Sequence, residues 1–197
     1  MANKGILLVM MHPPPAFEEE FNAWYDTEHV PERLAVPGIL TGLRFYNADG
    51  GAPRYLAIYD LERLAVMTSP EYLRVAHERS SPWTKRVTAR ARVQRYAGEQ
   101  VYPGDSITGR AAQIRLLRFR GLPADRIGSV VDGMRSSFEA RPEVKQVRVL
   151  AHDNGTAGLD LLGIVETRTP LPTALDPAAF GDAAEALDLV GTYTAFP

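Results

Sequence analysis

The side chains best suited to chemistry lie close together near residue 29. His29 follows Tyr25 by four residues and Phe21 by eight, so in a helix the three side chains share one stripe. An imidazole titrates near neutrality and can act as a general acid or base, and a phenol can donate a hydrogen bond to a developing oxyanion. A structural role is the alternative, because a cationic histidine in the last turn of a helix is stabilised by the helix dipole. The pattern leaves both roles open.

Other polar side chains join this group if the helix covers a sheet. Tyr59 ends a predicted strand near His29, whereas Asp26 and Glu28 point away from the histidine on the helix wheel, as solvated carboxylates do. Arg44 lies in a strand that should be covered on both faces, so it must pair with a carboxylate or an anionic substrate, and a protein partner is favoured. Core packing is an alternative role for the predicted ligand-contacting aromatic residues, which are Phe21, Trp24, Tyr46 and Tyr96.

Short strands and helices must position these residues. Periodicity and turn residues predict strands at 5–11, 39–46, 54–59 and 89–102. A helix is predicted from residue 16 to about residue 31, because Glu18, Glu19 and Glu20 occupy its first turn, where a helix dipole favours negative charge. Residues 61–67 and 70–79 are also predicted to be helical. The order βαββαβ is that of a ferredoxin-like unit with both helices on one face of an antiparallel sheet.

The second half of the sequence predicts the same series again. Its strands are expected at 113–119, 145–151, 159–166 and 187–196, and its helices at 124–140 and 177–186. We therefore predict an α+β fold with a ferredoxin-like repeat at 1–102, a linker at 103–110 and a second repeat at 111–197. Each repeat has an open sheet face, so the two should pack sheet to sheet as an α+β barrel with a cavity between the sheets.

The segment 21–31, read as FNAWYDTEHVP, precedes Pro37-Gly38 and the strand residues LRFY at 43–46. This pattern resembles the dimeric α+β barrel superfamily and, within it, EthD-like proteins. The resemblance implies the barrel and a pocket beneath the helix, but it does not fix a reaction. Relatives on this fold include cofactor-free monooxygenases, isomerases, cyclases, decarboxylases and heme-dependent enzymes. The motif is absent from the second half, where Met134 takes the place of His29, so one site per chain is expected.

Composition excludes several classes of function. A net charge of -2 and a pI of about 6.1 provide no positive field for nucleic acid, and we read the basic residues between Arg79 and Arg95 as a solvated surface. There is no cysteine, and the four histidines lack metal-ligand spacing, so neither a metal nor a cofactor is predicted. The apolar run 6–11 is too short for a membrane span or a signal-peptide core, which predicts a cytoplasmic protein.

Three functional hypotheses follow. The first is a small cofactor-independent enzyme of catabolic or polyketide-type metabolism that moves a proton on an apolar aromatic or enolisable molecule. His29 would carry the proton, with Tyr25 and Tyr59 as hydrogen-bond donors and Trp24 against the ligand. The second is a non-catalytic protein that binds a small molecule in the same pocket. The third and least favoured is a heme enzyme with an axial histidine. A homodimer is expected, because exposed strand edges often pair.

Overall fold

The computed structural model describes residues 3–156 and 158–197, and in these the strands close into one antiparallel barrel. Around the barrel the order is β1-β3-β2-β8-β5-β7-β6-β4. The strands are β1 (Gly5–His12), β2 (Leu43–Tyr46), β3 (Tyr55–Leu61), β4 (Arg92–Tyr102), β5 (Gln113–Leu122), β6 (Val144–Asp153), β7 (Leu159–Thr167) and β8 (Leu187–Ala195). The predicted α+β barrel fold is therefore confirmed.

Each half of the chain supplies one four-stranded sheet, and the two sheets meet at two seams. At one seam β2 pairs with β8, joining Phe45 to Ala195 and Tyr46 to Thr194. At the other, β4 pairs with β6, beginning with Gly98 opposite His152. The first seam is short because β2 itself is short.

Helices cover the outer faces of the two sheets. In the first half, α1 (Glu18–Trp24) runs through a π-helical turn (Tyr25–His29) into α2 (Val30–Leu34), followed by α3 (Pro70–Arg74) and α4 (Pro82–Arg90). In the second half, α5 (Ile127–Met134) continues into a π-helical turn (Arg135–Glu139), and a 3-10 segment (Pro177–Ala186) packs beside it. No helix among the described residues is long and apolar enough to cross a membrane.

Helix α4 is the main element that the sequence analysis missed. Residues 89–102 were predicted to form one strand, but the helix extends to Arg90 and the strand begins at Arg92. The start signals are present: Ser81 accepts a hydrogen bond from the Thr84 amide at 2.9 Å, and Pro82 occupies the first turn. The predicted strand 39–46 is also shorter, because β2 begins only at Leu43.

The strands bury side chains on both faces. On β1, the odd-numbered Leu7, Val9 and Met11 face the helices, whereas Ile6 and Leu8 face the barrel interior. The interior also takes up apolar side chains from β2 to β8, among them Phe45, Ile58, Ile114, Leu150, Ile164 and Tyr193. The predicted cavity between the sheets is therefore wrong, since this space holds a packed core.

A buried ionic cluster lies at one end of the barrel interior. The Arg148 guanidinium donates to Asp60 Oδ1 at 2.6 Å and lies 3.2 Å from Glu166 Oε1, and all three side chains are completely buried. Backbone amides of the connecting segment donate to the same carboxylates, that of Thr108 to Asp60 and that of Gly109 to Glu166. The cluster thus links both sheets and the segment that joins them.

The close approach at the second seam gives a testable prediction. A Cβ atom at Gly98 would lie 1.8 Å from the carbonyl oxygen of Ala151, so Gly98→Ala must force β4 and β6 apart. We expect it to lower the free energy of unfolding by at least about 1–3 kcal/mol in urea denaturation. Gly128 in α5 is the matched control, because a Cβ there meets nothing within 4 Å and alanine favours the helix. Equal effects of the two substitutions would contradict the seam geometry.

Candidate functional site

A cavity of about 350 Å³ lies beneath the first helix, between the helices and the outer face of the first sheet. Leu7, Val9 and Met11 form its apolar floor, because these side chains point away from the barrel interior. The volume is at the low end of the range for small-molecule sites and suits a small ring compound. The resemblance implied a pocket at this place.

Four of the predicted site residues meet in this cavity: Trp24, Tyr25, His29 and Tyr59. The centre of the His29 ring lies 4.3 Å from that of Trp24, 5.3 Å from that of Tyr25 and 6.4 Å from that of Tyr59. Tyr25 and His29 begin and end the π-helical turn, a feature that is frequent at functional sites. The histidine is therefore enclosed by aromatic rings at the wall of the cavity.

His29 is held in its neutral form. Burial, together with the positive charges of Arg33, Arg95 and Arg44, lowers its pKa from 6.5 to about 3. The expectation that this histidine titrates near neutrality is therefore wrong. A neutral imidazole can accept a proton or a hydrogen bond, but the free protein holds no imidazolium at neutral pH that could act as an acid.

This neutral histidine makes stability depend on pH. Below pH 6.5 the unfolded chain protonates His29, whereas the folded chain does so only near pH 3, so the free energy of unfolding decreases as the pH falls between these values. We expect His29 to account for a loss of about 1–2 kcal/mol between pH 7 and pH 5. The glutamine of His29→Gln cannot titrate. Between pH 7 and pH 5, urea denaturation should therefore show a decrease in the free energy of unfolding that is smaller by this amount in the variant than in the wild type. Parallel pH profiles for the two proteins would contradict the buried neutral state.

Two phenols face the imidazole and remain protonated. Burial raises the pKa of Tyr25 to about 12 and that of Tyr59 well above its usual value. The Tyr25 hydroxyl donates to the sulfur of Met11 at 3.4 Å, a weak acceptor. Tyr59 Oη and His29 Nδ1 are buried without a hydrogen bond of good geometry to the described residues. Buried polar atoms without partners are unfavourable, and a ligand that pairs with them would remove that penalty.

Helix α4 fixes the position of the first helix over the cavity. Its Thr84 hydroxyl accepts from Trp24 Nε1 at 3.0 Å, and Thr84 and Ser81 both donate to Glu28. Glu28 is therefore a tether between helices rather than a freely solvated carboxylate. Since α4 was not foreseen, this support for Trp24 was not foreseen either.

The other predicted site residues lie outside the cavity lining. Phe21 is fully buried and packs on Tyr25, behind the cavity. Arg44 pairs with Asp26 and Asn22, the protein partner that the sequence favoured, and lies over the outer side of the Tyr25 ring. The remaining two lie further off: Tyr46 packs on Phe196, and Tyr96 faces the barrel interior, where Arg118 donates to its hydroxyl.

The cationic residues of the cavity were not predicted from the sequence. Arg33, Lys85 and Arg95 line it together with Tyr72. Arg33 follows His29 by four residues, so the helix stripe that indicated Tyr25 could have indicated Arg33 as well. Lys85 and Arg95 lie in the basic segment that was read as a solvated surface. Whether these two also face a cavity depends on α4 and on the register of β4.

The corresponding space in the second half is packed. Phe119, Met134 and Phe180 fill the layer between helix and sheet there, and Met134 closes on Gly163, where a Cβ would lie 2.4 Å from the Met134 sulfur. Among the described residues, no group of three or more histidine or carboxylate side chains could hold a metal ion.

No family model and no curated protein matches this chain. A suggested monooxygenase from Lactobacillus acidophilus NCFM is similar in structure, with 10% identity and a TM-score of 0.55 over 98% of this chain and 93% of that one. A chlorite dismutase mutant from Candidatus Nitrospira defluvii, in complex with cyanide, has 8% identity and a TM-score of 0.58 over 100% and 92%. The encapsulated DyP-type peroxidase from Mycobacterium smegmatis has 10% identity and a TM-score of 0.57 over 99% and 93%. These similarities show the fold alone: an α+β barrel like that of the chlorite dismutases.

Proposed function

We propose that this protein is a cofactor-independent, EthD-like enzyme that moves a proton on a small aromatic or enolisable molecule bound beneath the first helix. The observation that supports this most is that two buried polar atoms of one cavity, His29 Nδ1 and Tyr59 Oη, lack a hydrogen bond of good geometry to the described residues. Polar groups left unsatisfied beside an apolar surface are typical of a site that a ligand completes.

The arrangement supports proton abstraction. Neutral His29 accepts a proton from an activated carbon of the ligand, and the protonated phenols of Tyr25 and Tyr59 donate hydrogen bonds to the oxygen on which negative charge develops. Trp24 closes the aromatic wall beside the imidazole. Isomerisation, cyclisation and reaction of the carbanion with oxygen begin from such a stabilised anion, and decarboxylation passes through one that is formed by loss of CO2. This chemistry therefore defines a class of reactions rather than one product.

A non-catalytic binding protein is the second proposal, and the pKa of His29 gives it weight. With a pKa of about 3, His29 of the free protein does not titrate between pH 5 and pH 8. Neither a plot of rate against pH nor one of binding affinity against pH should therefore show an inflection from the free protein's His29 in that range. A pH profile over that range therefore does not separate catalysis from binding, and only an assay of bond breaking does.

A heme does not fit this cavity. Its volume of about 350 Å³ is small for a four-ring macrocycle, and Trp24 and Tyr25 crowd the imidazole that would have to ligate the iron. In the second half the matching space is filled by Phe119, Met134 and Phe180. We therefore keep the cofactor-free proposal for the cavity beneath the first helix.

We further propose that each chain consists of a repeat at 1–102, a linker at 103–110 and a second repeat at 111–197. We propose that two such chains form a cytoplasmic homodimer, which binds neither nucleic acid nor membranes. Pairing of β2 with β8 involves only residues near the end of β8, and Val190 further along β8 is 46% exposed, which supports strand-edge contact between copies. Native mass spectrometry should give twice the chain mass, whereas a monomer at micromolar concentration would overturn the dimer.

Deuterium exchange tests the proposed function. Purified protein in heavy water is mixed with enolisable aromatic acids, ketones and lactones, and loss of the α-proton signal is followed by proton NMR. We expect catalysed exchange by a sample that is colourless and whose denatured mass is that of the bare chain. Retention of a ligand without exchange of any compound would support the binding protein, and a Soret band in the active sample would overturn cofactor independence.

A further inference from the structure

Cationic side chains contribute to the lining of the cavity beneath the first helix. Arg33, Lys85 and Arg95 contribute to its wall, and none of the described lining residues is an aspartate or a glutamate. The net charge of the chain is -2, so this local excess is not a consequence of overall composition. Positive charge concentrated in a cleft with apolar walls attracts anions.

Two of these guanidinium groups meet at one phenol. Arg33 is 5% exposed and lies 5.4 Å from the centre of the Tyr72 ring, while Arg95 donates to the Tyr72 hydroxyl at 2.8 Å. Arg33 also donates to the carbonyl oxygen of Val75 at 2.7 Å, and the carboxylate nearest to it, that of Glu32, is 3.9 Å away.

Arg95 has no carboxylate partner among the described residues, and Lys85 donates only to a backbone carbonyl, that of Glu78, at 2.6 Å. Glu32 is the single carboxylate within 4 Å of these three cations among the described residues. Like charges held close together repel one another, and a bound anion would relieve that repulsion.

We propose that the cavity recognises an organic anion: a carboxylate held by Arg95 at the mouth and near Arg33, with its apolar ring over Leu7 and Val9 and toward Tyr59. This inference rests on the proposed function for the place of the reacting carbon, which must lie near His29. Arg95 would thus be a specificity-determining residue, since its guanidinium offers two donors to a carboxylate.

Anion binding would also change His29. The groups that act on its pKa are Arg33 on α2, Arg95 on β4 and Arg44 on β2, and the phenols of Tyr25 and Tyr59 also face it. A carboxylate beside Arg33 and Arg95 offsets their positive potential, so the pKa of His29 rises when the substrate is bound. The base would then be stronger in the complex than in the free protein.

Calorimetric titration with phenylacetate and with its neutral analogue phenylacetamide tests the inference. We expect the wild-type protein to bind phenylacetate at least about tenfold more tightly, and Arg95→Met to remove that difference. Arg92→Met is the matched control, because Arg92 is an exposed residue of the same strand on the opposite face, and this variant should retain the preference.

Equal affinity for the two compounds, no saturable binding of phenylacetate, or an undiminished preference in Arg95→Met would each overturn the inference. The titration needs no turnover, so it is independent of the proposed reaction. If the protein prefers the anion but exchanges protons on no compound, the anion site stands and the proposed enzymatic function is overturned. If exchange occurs only on neutral compounds, the enzymatic function stands and the anion site is overturned.

Discussion

His29→Ala is expected to lower the rate of proton exchange on a substrate by about 10²–10⁴-fold, the usual contribution of a positioned general base. The reason is that no other described group in the cavity can accept the proton at neutral pH: the remaining titratable lining residues are arginines, a lysine and phenols. Removing His29 also removes a buried polar atom that has no hydrogen-bond partner of good geometry among the described residues, so the protein should remain folded.

Two measurements distinguish loss of the base from loss of the fold. Circular dichroism and the urea midpoint of His29→Ala at pH 7 should match the wild type closely.

Tyr59→Phe retains the ring and removes one hydrogen-bond donor, so it should lower the rate by about 10²-fold. Full activity of His29→Ala would show that the proton goes elsewhere, and a larger loss in Tyr59→Phe than in His29→Ala would reverse the assigned roles.

Arg148→Met is expected to lower the free energy of unfolding by about 3–5 kcal/mol, because it leaves buried carboxylates without their counter-charge. Arg148 contacts Asp60 and Glu166 inside the barrel, and burial already raises the pKa of Glu166 even with the guanidinium present. Urea denaturation at pH 7 measures the loss. Arg120→Met is the control, since Arg120 is 61% exposed and its ion pairs are 3.8–3.9 Å long, so a change within about 0.5 kcal/mol is expected.

The pH dependence of this loss identifies its cause. Without Arg148, burial raises the pKa of Glu166 further, because the guanidinium no longer opposes it, and the folded state binds a proton that the unfolded state does not. The deficit of Arg148→Met should therefore shrink as the pH falls from 7 to 5. A deficit that stays constant with pH would indicate lost packing instead of unpaired charge. A deficit below about 1 kcal/mol at pH 7 would contradict the ionic cluster altogether.

Local patterns were enough to predict the fold and to select four candidate residues that share one cavity. The aromatic stripe of the first helix and the repeated element order required only periodicity and turn residues, and four of the eight predicted site residues line one cavity. The location of the cavity was not predictable in this way. All residues from Gly5 to Met11 are buried, so β1 has no polar face to show which side chains point toward the helices and which toward the barrel interior.

The residues that were missed depend on long-range register. Arg148 lies between Val147 and Val149 in β6, and its partner Asp60 lies 88 residues away. Tyr96 was predicted to contact the ligand, but the pleat of β4 turns it into the barrel while Arg95 beside it faces the cavity. A shift of one residue reverses the face of every side chain on a strand, so such assignments need the register that only the folded sheet supplies.

NMR of histidine ring nitrogens, in protein labelled with nitrogen-15 at histidine, tests the central claim most directly. Signals are assigned with the His29→Gln variant and followed against pH, with and without phenylacetate. We predict that His29 of the free protein remains neutral at pH 5, consistent with a pKa of about 3, and that the bound ligand shifts its resonances. A His29 that titrates near pH 6.5, with resonances that no ligand of the protein disturbs, would contradict a buried base at the substrate site.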